Sequence, residues 1–188
     1  FARLVEAISP LIAQTEKLQQ LMELFDDELI GNYRQMWCSK LGFNEYDKEM
    51  VEQLIGLLHS SETDMTIFFR LLSTLKEPNV EELEFCFYDF DSTPKDDWNR
   101  WLVKYLGLVK SDRAEAMNLV NPKYVLRNWM AQLAIDKAEQ DDFGLVEELY
   151  QLLKRPYDEQ PEMHSKWFVK RPEWARDRPG CSMLSCSS

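Results

Sequence analysis

Apolar residues recur at three- and four-residue steps along nearly the whole chain, the spacing that lines one face of an α-helix. Leu4, Val5, Ile8, Leu11 and Ile12 share a face over residues 1–13, with Pro10 as a break because proline lacks the amide donor and crowds the preceding turn. A longer run follows through Leu18, Leu21, Met22, Phe25, Leu29, Tyr33, Met36, Trp37 and Leu41, closed by Gly42. Asp47 is placed to cap a helix carrying Met50, Val51, Leu54, Ile55 and Leu58. Asp64 does the same for one built on Ile67, Phe68, Leu71 and Leu72. Asn79-x-x-Glu82 has the outline of a capping box. Thr93-Pro94 sets a hydroxyl before a proline and predicts a helix that buries Trp98, Trp101, Leu102, Tyr105 and Leu106. By the same logic Asn121-Pro122 starts a helix ending near Gln140, with Val125, Leu126, Trp129, Met130 and Leu133 turned inward. Asp142 opens a last helix that stops at Pro156.

Strand-like alternation comes nearest at Leu83–Tyr88, where acidic flanks and a capping residue favour a helix instead. The expected fold is therefore all-α, an irregular bundle of seven to nine helices over residues 1–155. No repeat with a 20–50-residue period argues for a solenoid. Pro156, Pro161, Pro172 and Pro179 predict an extended tail over 156–188, wrapped on the surface. Trp167, Phe168 and Trp174 are expected to pin it, since large aromatics are costly to leave in water.

The chain has 188 residues, 45% of them hydrophobic, enough for one substantial core. No apolar run reaches the 18 residues of a membrane span. The net charge of −11 disfavours nucleic acid or an anionic membrane as a partner. That charge is uneven, −13 over residues 1–153 and +2 over 154–188, so the tail could lie along an acidic helical body or along a part of the protein outside the chain. Cysteines at 38, 86, 181 and 186 and histidines at 59 and 164 lack zinc-ligand spacing, and the sparse pattern suits a reducing cytosol. Cys38 and Cys86 fall in apolar helical surroundings and are expected to be inert.

Cys181 and Cys186 stand apart, in the closing run Cys181-Ser-Met-Leu-Ser-Cys186-Ser-Ser188. A thiol third from the carboxyl end is presented more freely than one in a helix. Cys181 can close a short ring with Cys186 only if their Cα atoms come within about 7 Å. A bond from Cys186 to a distant cysteine outside the chain is the other possibility, and a frayed terminus with no special role is the third. Lys123 and Arg127, four apart on the helix expected after Asn121, could hold a phosphate or pack against another lobe. A plain capped amphipathic helix accounts for them equally simply.

The ending Ser185-Cys186-Ser187-Ser188 resembles that of the selenoprotein O family, in which a cysteine or selenocysteine stands third from the end. Asn118-Leu-Val-Asn-Pro-Lys-Tyr-Val-Leu-Arg-Asn-Trp-Met-Ala-Gln132 and Lys154-Arg-Pro-Tyr-Asp-Glu-Gln-Pro161 resemble family segments in the same order. So do Asp64-Met-Thr-Ile-Phe-Phe-Arg70 and Ala2-Arg-Leu-Val-Glu-Ala7. The resemblance implies a protein-kinase-like fold that binds ATP in a flipped orientation and transfers AMP to hydroxyl groups of protein substrates, with Mg or Mn as the metal. It also implies a bacterial cytoplasmic protein, or a mitochondrial one if eukaryotic. Cys186 would act in redox regulation, the long-range tether being favoured over the Cys181 ring.

The six glycines are too scattered for a phosphate loop, no His-Arg-Asp or Asp-Phe-Gly occurs, and Asp89-Phe-Asp91 reads as a solvated turn. Phe1 opens in the middle of a helical pattern. The expectation is a carboxyl-terminal fragment, inactive alone, with no catalytic, nucleotide or metal ligand of its own. Its partners would be the upstream lobe of the same polypeptide, against which Asn121, Lys123 and Arg127 could pack, and the protein substrates. The residues alone are also compatible with a stand-alone helical adaptor. A thiol oxidoreductase is disfavoured by the missing Cys-x-x-Cys and βαβ pattern. An exposed apolar face would favour the enzyme reading over the adaptor.

Overall fold

The computed structural model describes residues 2–12 and 15–181, and every regular element among them is helical. The α-helices are α1 (Ala2–Ile8), α2 (Thr15–Leu41), α3 (Lys48–Ser60), α4 (Met65–Thr74), α5 (Lys95–Leu108), α6 (Ala114–Asn118), α7 (Asn128–Ala138), α8 (Gly144–Leu153) and α9 (Pro161–Trp167). Three 3-10 segments join them, at Ser9–Leu11, Val80–Cys86 and Glu173–Ala175. Extended pairing among the described residues is limited to isolated bridges, Phe43 with Val109 and Thr63 with Phe87. Pro10 does break the first helix, falling in the Ser9–Leu11 turn.

The core is organised by one face of α5, where Trp98, Trp101, Leu102 and Tyr105 follow the helical step and are all buried. Trp101 stacks on Tyr105 with centroids 5.0 Å apart, and Trp98 meets Phe68 at 5.4 Å and Phe87 at 5.3 Å. Rings this large can be buried without loss because each polar tip has an acceptor. Trp98 Nε1 donates to Ser61 Oγ at 2.8 Å, Trp101 Nε1 to the Met50 carbonyl at 3.0 Å, and Tyr105 OH to the Leu41 carbonyl at 3.0 Å. The last bond fixes the end of α2 on the core. Gly42, at φ +70°, then turns the chain, and a Cβ there would press within 3.2 Å of Arg113 Cβ and Met117 Sδ.

Asp47 and Asp64 cap α3 and α4 as expected, accepting from Met50 N at 3.0 Å and Ile67 N at 3.1 Å. Asn79 caps a 3-10 segment by accepting from Glu81 N. Thr93 does not cap α5: Pro94 occupies the cap position, so Thr93 lies one residue too early and its hydroxyl donates back to the Asp89 carbonyl. Asp89 also accepts from Ser92, closing the exposed turn expected there.

Two expectations need larger corrections. No helix starts at Asn121-Pro122; α7 begins at Asn128, and Val125 and Leu126 are exposed. The amides of Lys123 and Tyr124 both donate to the Pro156 carbonyl, which ties this stretch to the end of α8 and withdraws its donors from any helix. The region 156–181 is not simply extended either, because Pro161 sits at the first position of α9, where its missing N–H costs nothing. Trp167 and Phe168 are buried as expected, whereas Trp174 is exposed with Arg178 over its ring.

Candidate functional site

The residues singled out between 118 and 132 converge with the 155–160 turn on a polar knot in which Arg70, Asn121, Lys123 and Gln160 are buried and the Glu159 carboxylate faces the surface. Arg70 rises from α4, whose other residues are uncharged, and its guanidinium reaches the carbonyls of Asn118, Asn121 and Tyr157 and the carboxylate of Glu159. Lys123 reaches the same carboxylate at 2.7 Å and the Glu159 carbonyl at 2.9 Å. Tyr124 OH donates to the carbonyls of Glu159 and Gln160. Gln160, at φ +38°, answers by donating to the Leu152 and Arg155 carbonyls. Burial works against ionising Glu159, but hydrogen bonds from Lys123 and the charge of Arg70 outweigh it and hold the carboxyl below its usual range.

Asn121 is 1% exposed and ties three elements: its amide donates to the carbonyls of Lys40 and Met117, and its oxygen accepts from Lys40 Nζ at 2.8 Å. Lys40 also lies 4.2 Å from the Phe69 ring centroid, and its desolvation lowers the ammonium pKa. Arg127 forms a two-pronged pair with Asp64, the residue that caps α4. Asn121, Lys123 and Arg127 therefore join parts of this chain to one another. Lys123 and Arg127 do not share the helical face expected for them, because the helix expected from Asn121 does not form before Asn128.

Arg70, Glu159 and Arg113 were not singled out from the sequence. A lone charge in the otherwise apolar stretch of α4 was the available signal for Arg70. Arg113 lies in a polar linker without any pattern. It donates to Tyr105 OH at 3.0 Å and to the carbonyls of Leu72, Leu75 and Lys110. These head groups are occupied by oxygens of the chain, so the knot is suited to positioning.

The last described segment is strapped to the body by charge. Arg171 and Arg176 both reach Glu62, Arg178 reaches Asp136 at 2.9 Å, and Lys170 caps the Phe87 carbonyl. Trp167 Nε1 donates to Glu148, which Lys166 also meets. Cys181 ends this strap, 7% exposed, with its amide bonded to the Arg178 carbonyl. Cys186 lies outside the described residues. Cys86 is fully buried and its thiol pKa is driven far up by burial, with the charge of Asp64 adding to it; burial also raises Cys38. Cys86 therefore has the environment of a core thiol, while Cys38 is partly buried at the edge of the core. Among the described residues no group of three or more His, Cys, Asp or Glu could hold a metal ion, and no helix is long and apolar enough to cross a membrane.

The described residues form helices throughout, and their buried cations are spent on carbonyls and carboxylates of the chain itself. Its kinship is specific: the family model described as protein adenylyltransferase SelO matches residues 1–154, and the chain belongs to that family. Among its relatives is a protein nucleotidyltransferase YdiU of Flavobacterium johnsoniae, 47% identical over 203 residues that cover 99% of this chain and 39% of the relative. Proteins of the same name from Aromatoleum aromaticum and Rhodopirellula baltica are each 40% identical, covering 99% and 98% of this chain. The chain spans about two fifths of the length of these relatives, 39%, 38% and 39% in turn.

Proposed function

We propose that this chain is the carboxyl-terminal helical region of a kinase-like enzyme that transfers AMP from ATP to hydroxyl groups of protein substrates. The observation that carries the reading is membership of the adenylyltransferase family, together with relatives named as protein nucleotidyltransferases. In the reaction a substrate hydroxyl oxygen bonds to the α-phosphorus, the bond to the β-phosphate bridge breaks, pyrophosphate leaves and the hydroxyl proton passes to a base. ATP and Mg or Mn belong to the remaining part of such a polypeptide, which also supplies the base. The knot of Arg70, Lys123 and Glu159 makes the helical region a rigid support for that part.

The tail thiol fits a regulatory role. Cys181 is anchored by the strap, and Cys186 follows five residues later, a reach of roughly 17 Å if extended. Within that radius Cys186 can form a disulfide with Cys181 or with a cysteine of the nucleotide-binding part, two thiols giving up two electrons and two protons to a small-molecule disulfide. A cytoplasmic location keeps this bond reversible. The exposed apolar face of α2 counts against a stand-alone adaptor.

The test is AMP transfer from α-phosphate-labelled ATP by the full-length polypeptide, with and without reductant. Label on protein that responds to reductant and to Cys186→Ser supports both the activity and the tail's role. Label indifferent to both leaves the activity and removes the regulation. Absence of label with every metal and protein acceptor tried refutes the reading.

A further inference from the structure

Helix α2 is 27 residues long, roughly 40 Å, and its final turns are held by the body. Trp37 and Leu41 are buried, and Tyr33 and Arg34 lean on Tyr46. On the amino-terminal side Leu29, Tyr33 and Met36 continue the helical step with Ile30 beside them, and all four are exposed, Leu29 at 55% and Met36 at 44%. Leu21 and Leu24 extend the exposed apolar surface further along the helix. The core around α5 closes without this surface. Asp26 falls in line with Leu29 and Ile30 at the helical step while Asp27 and Glu28 flank it, all exposed, and together they put negative charge near the middle of the helix.

We propose that this face of α2 is the seat of the nucleotide-binding part of the same polypeptide, which meets it with an apolar groove bordered by Lys or Arg. The inference rests on the function proposed above and specifies where the two parts join. Relatives that align with nearly all of this chain are more than twice its length, so a large additional surface belongs to the same molecules. A second copy is a poorer occupant, because two α2 arms packed antiparallel would bring Asp26, Asp27 and Glu28 of one near those of the other. The junction assigned here differs from the Asn121–Arg127 stretch, where Asn121, Lys123 and Arg127 are engaged internally.

The experiment is oxidative footprinting of methionines in the full-length protein over a range of dilutions, comparing Met36 with Met50 and Met117, which are buried in this structure. Met36 is expected to oxidise as slowly as those two at every dilution, and Ile30→Glu with Leu29→Glu is expected to abolish its protection while Met50 and Met117 stay protected. Oxidation of Met36 at the rate of the denatured chain overturns the proposal. Protection that vanishes on dilution also overturns it, in favour of a second copy. AMP transfer measured on the same unmodified sample separates the two claims: label with an open Met36 refutes the junction alone, whereas a protected Met36 without label refutes the activity alone.

Discussion

The α3–α5 body and the α2 arm are built from similar proportions of apolar residues but treat them in opposite ways. In the body, the indole N–H of Trp98, that of Trp101 and the Tyr105 hydroxyl each find an acceptor, and the surrounding apolar side chains are buried. Along the arm, Leu21, Leu24, Leu29 and Ile30 also lie on a helix and remain in water. Periodicity thus identifies a helix in both places, but it does not say whether the apolar face has a partner within the same chain. That depends on what lies on the other side, and for the apolar face of α5 the body supplies it.

The strongest way to break the contrast is to damage the body. Asp64→Ala removes the cap from α4 and leaves Arg127 without its carboxylate, and is expected to cost about 3–5 kcal/mol in urea unfolding, the range for breaking a buried ion pair. Arg113→Met strands the Leu72, Leu75 and Lys110 carbonyls, with an expected loss of about 2–3 kcal/mol by the same measurement. Acid acts through Glu159, whose folded pKa is depressed. Its contribution is full above the unfolded value of about 4.3 and is lost as pH falls through the lower folded value. The 156–160 turn should therefore loosen below about pH 4, seen as faster proteolysis there, and Glu159→Gln should show that looseness already at neutral pH. Glu62→Ala releases Arg171 and Arg176 at the surface and should cost little stability, its effect being read best as faster thiol labelling of Cys181. Leu24→Gln on the arm, matched in helix propensity, should change stability by less than about 0.5 kcal/mol.

Much of the fold was legible where local chemistry decides it. Asp47 and Asp64 cap as their positions suggest, Gly42 ends α2, and Trp98, Trp101, Leu102 and Tyr105 are buried as their spacing predicts. The helix expected from Asn121 was misread because its amide donors go to Pro156, a carbonyl more than thirty residues away that no local pattern reveals. The inward role expected of Ile55 also fails, since it lies on the outer side of α3. The candidate site was less legible than the fold. Asn121, Lys123 and Arg127 were found, but their partners Lys40, Glu159 and Asp64 come from distant segments and could be paired only in three dimensions. Cys181 proves to be the anchored end of the strap, while Cys186 lies outside the described residues.

The contrast between body and arm is tested most directly by site-resolved hydrogen exchange on the 188-residue chain. The account predicts that amides of α4 and α5 exchange only through global unfolding, while those of residues 18–32 exchange orders of magnitude faster through local opening of the arm. Protection of residues 18–32 equal to that of α5 would contradict it, because the arm would then need no partner beyond the chain itself.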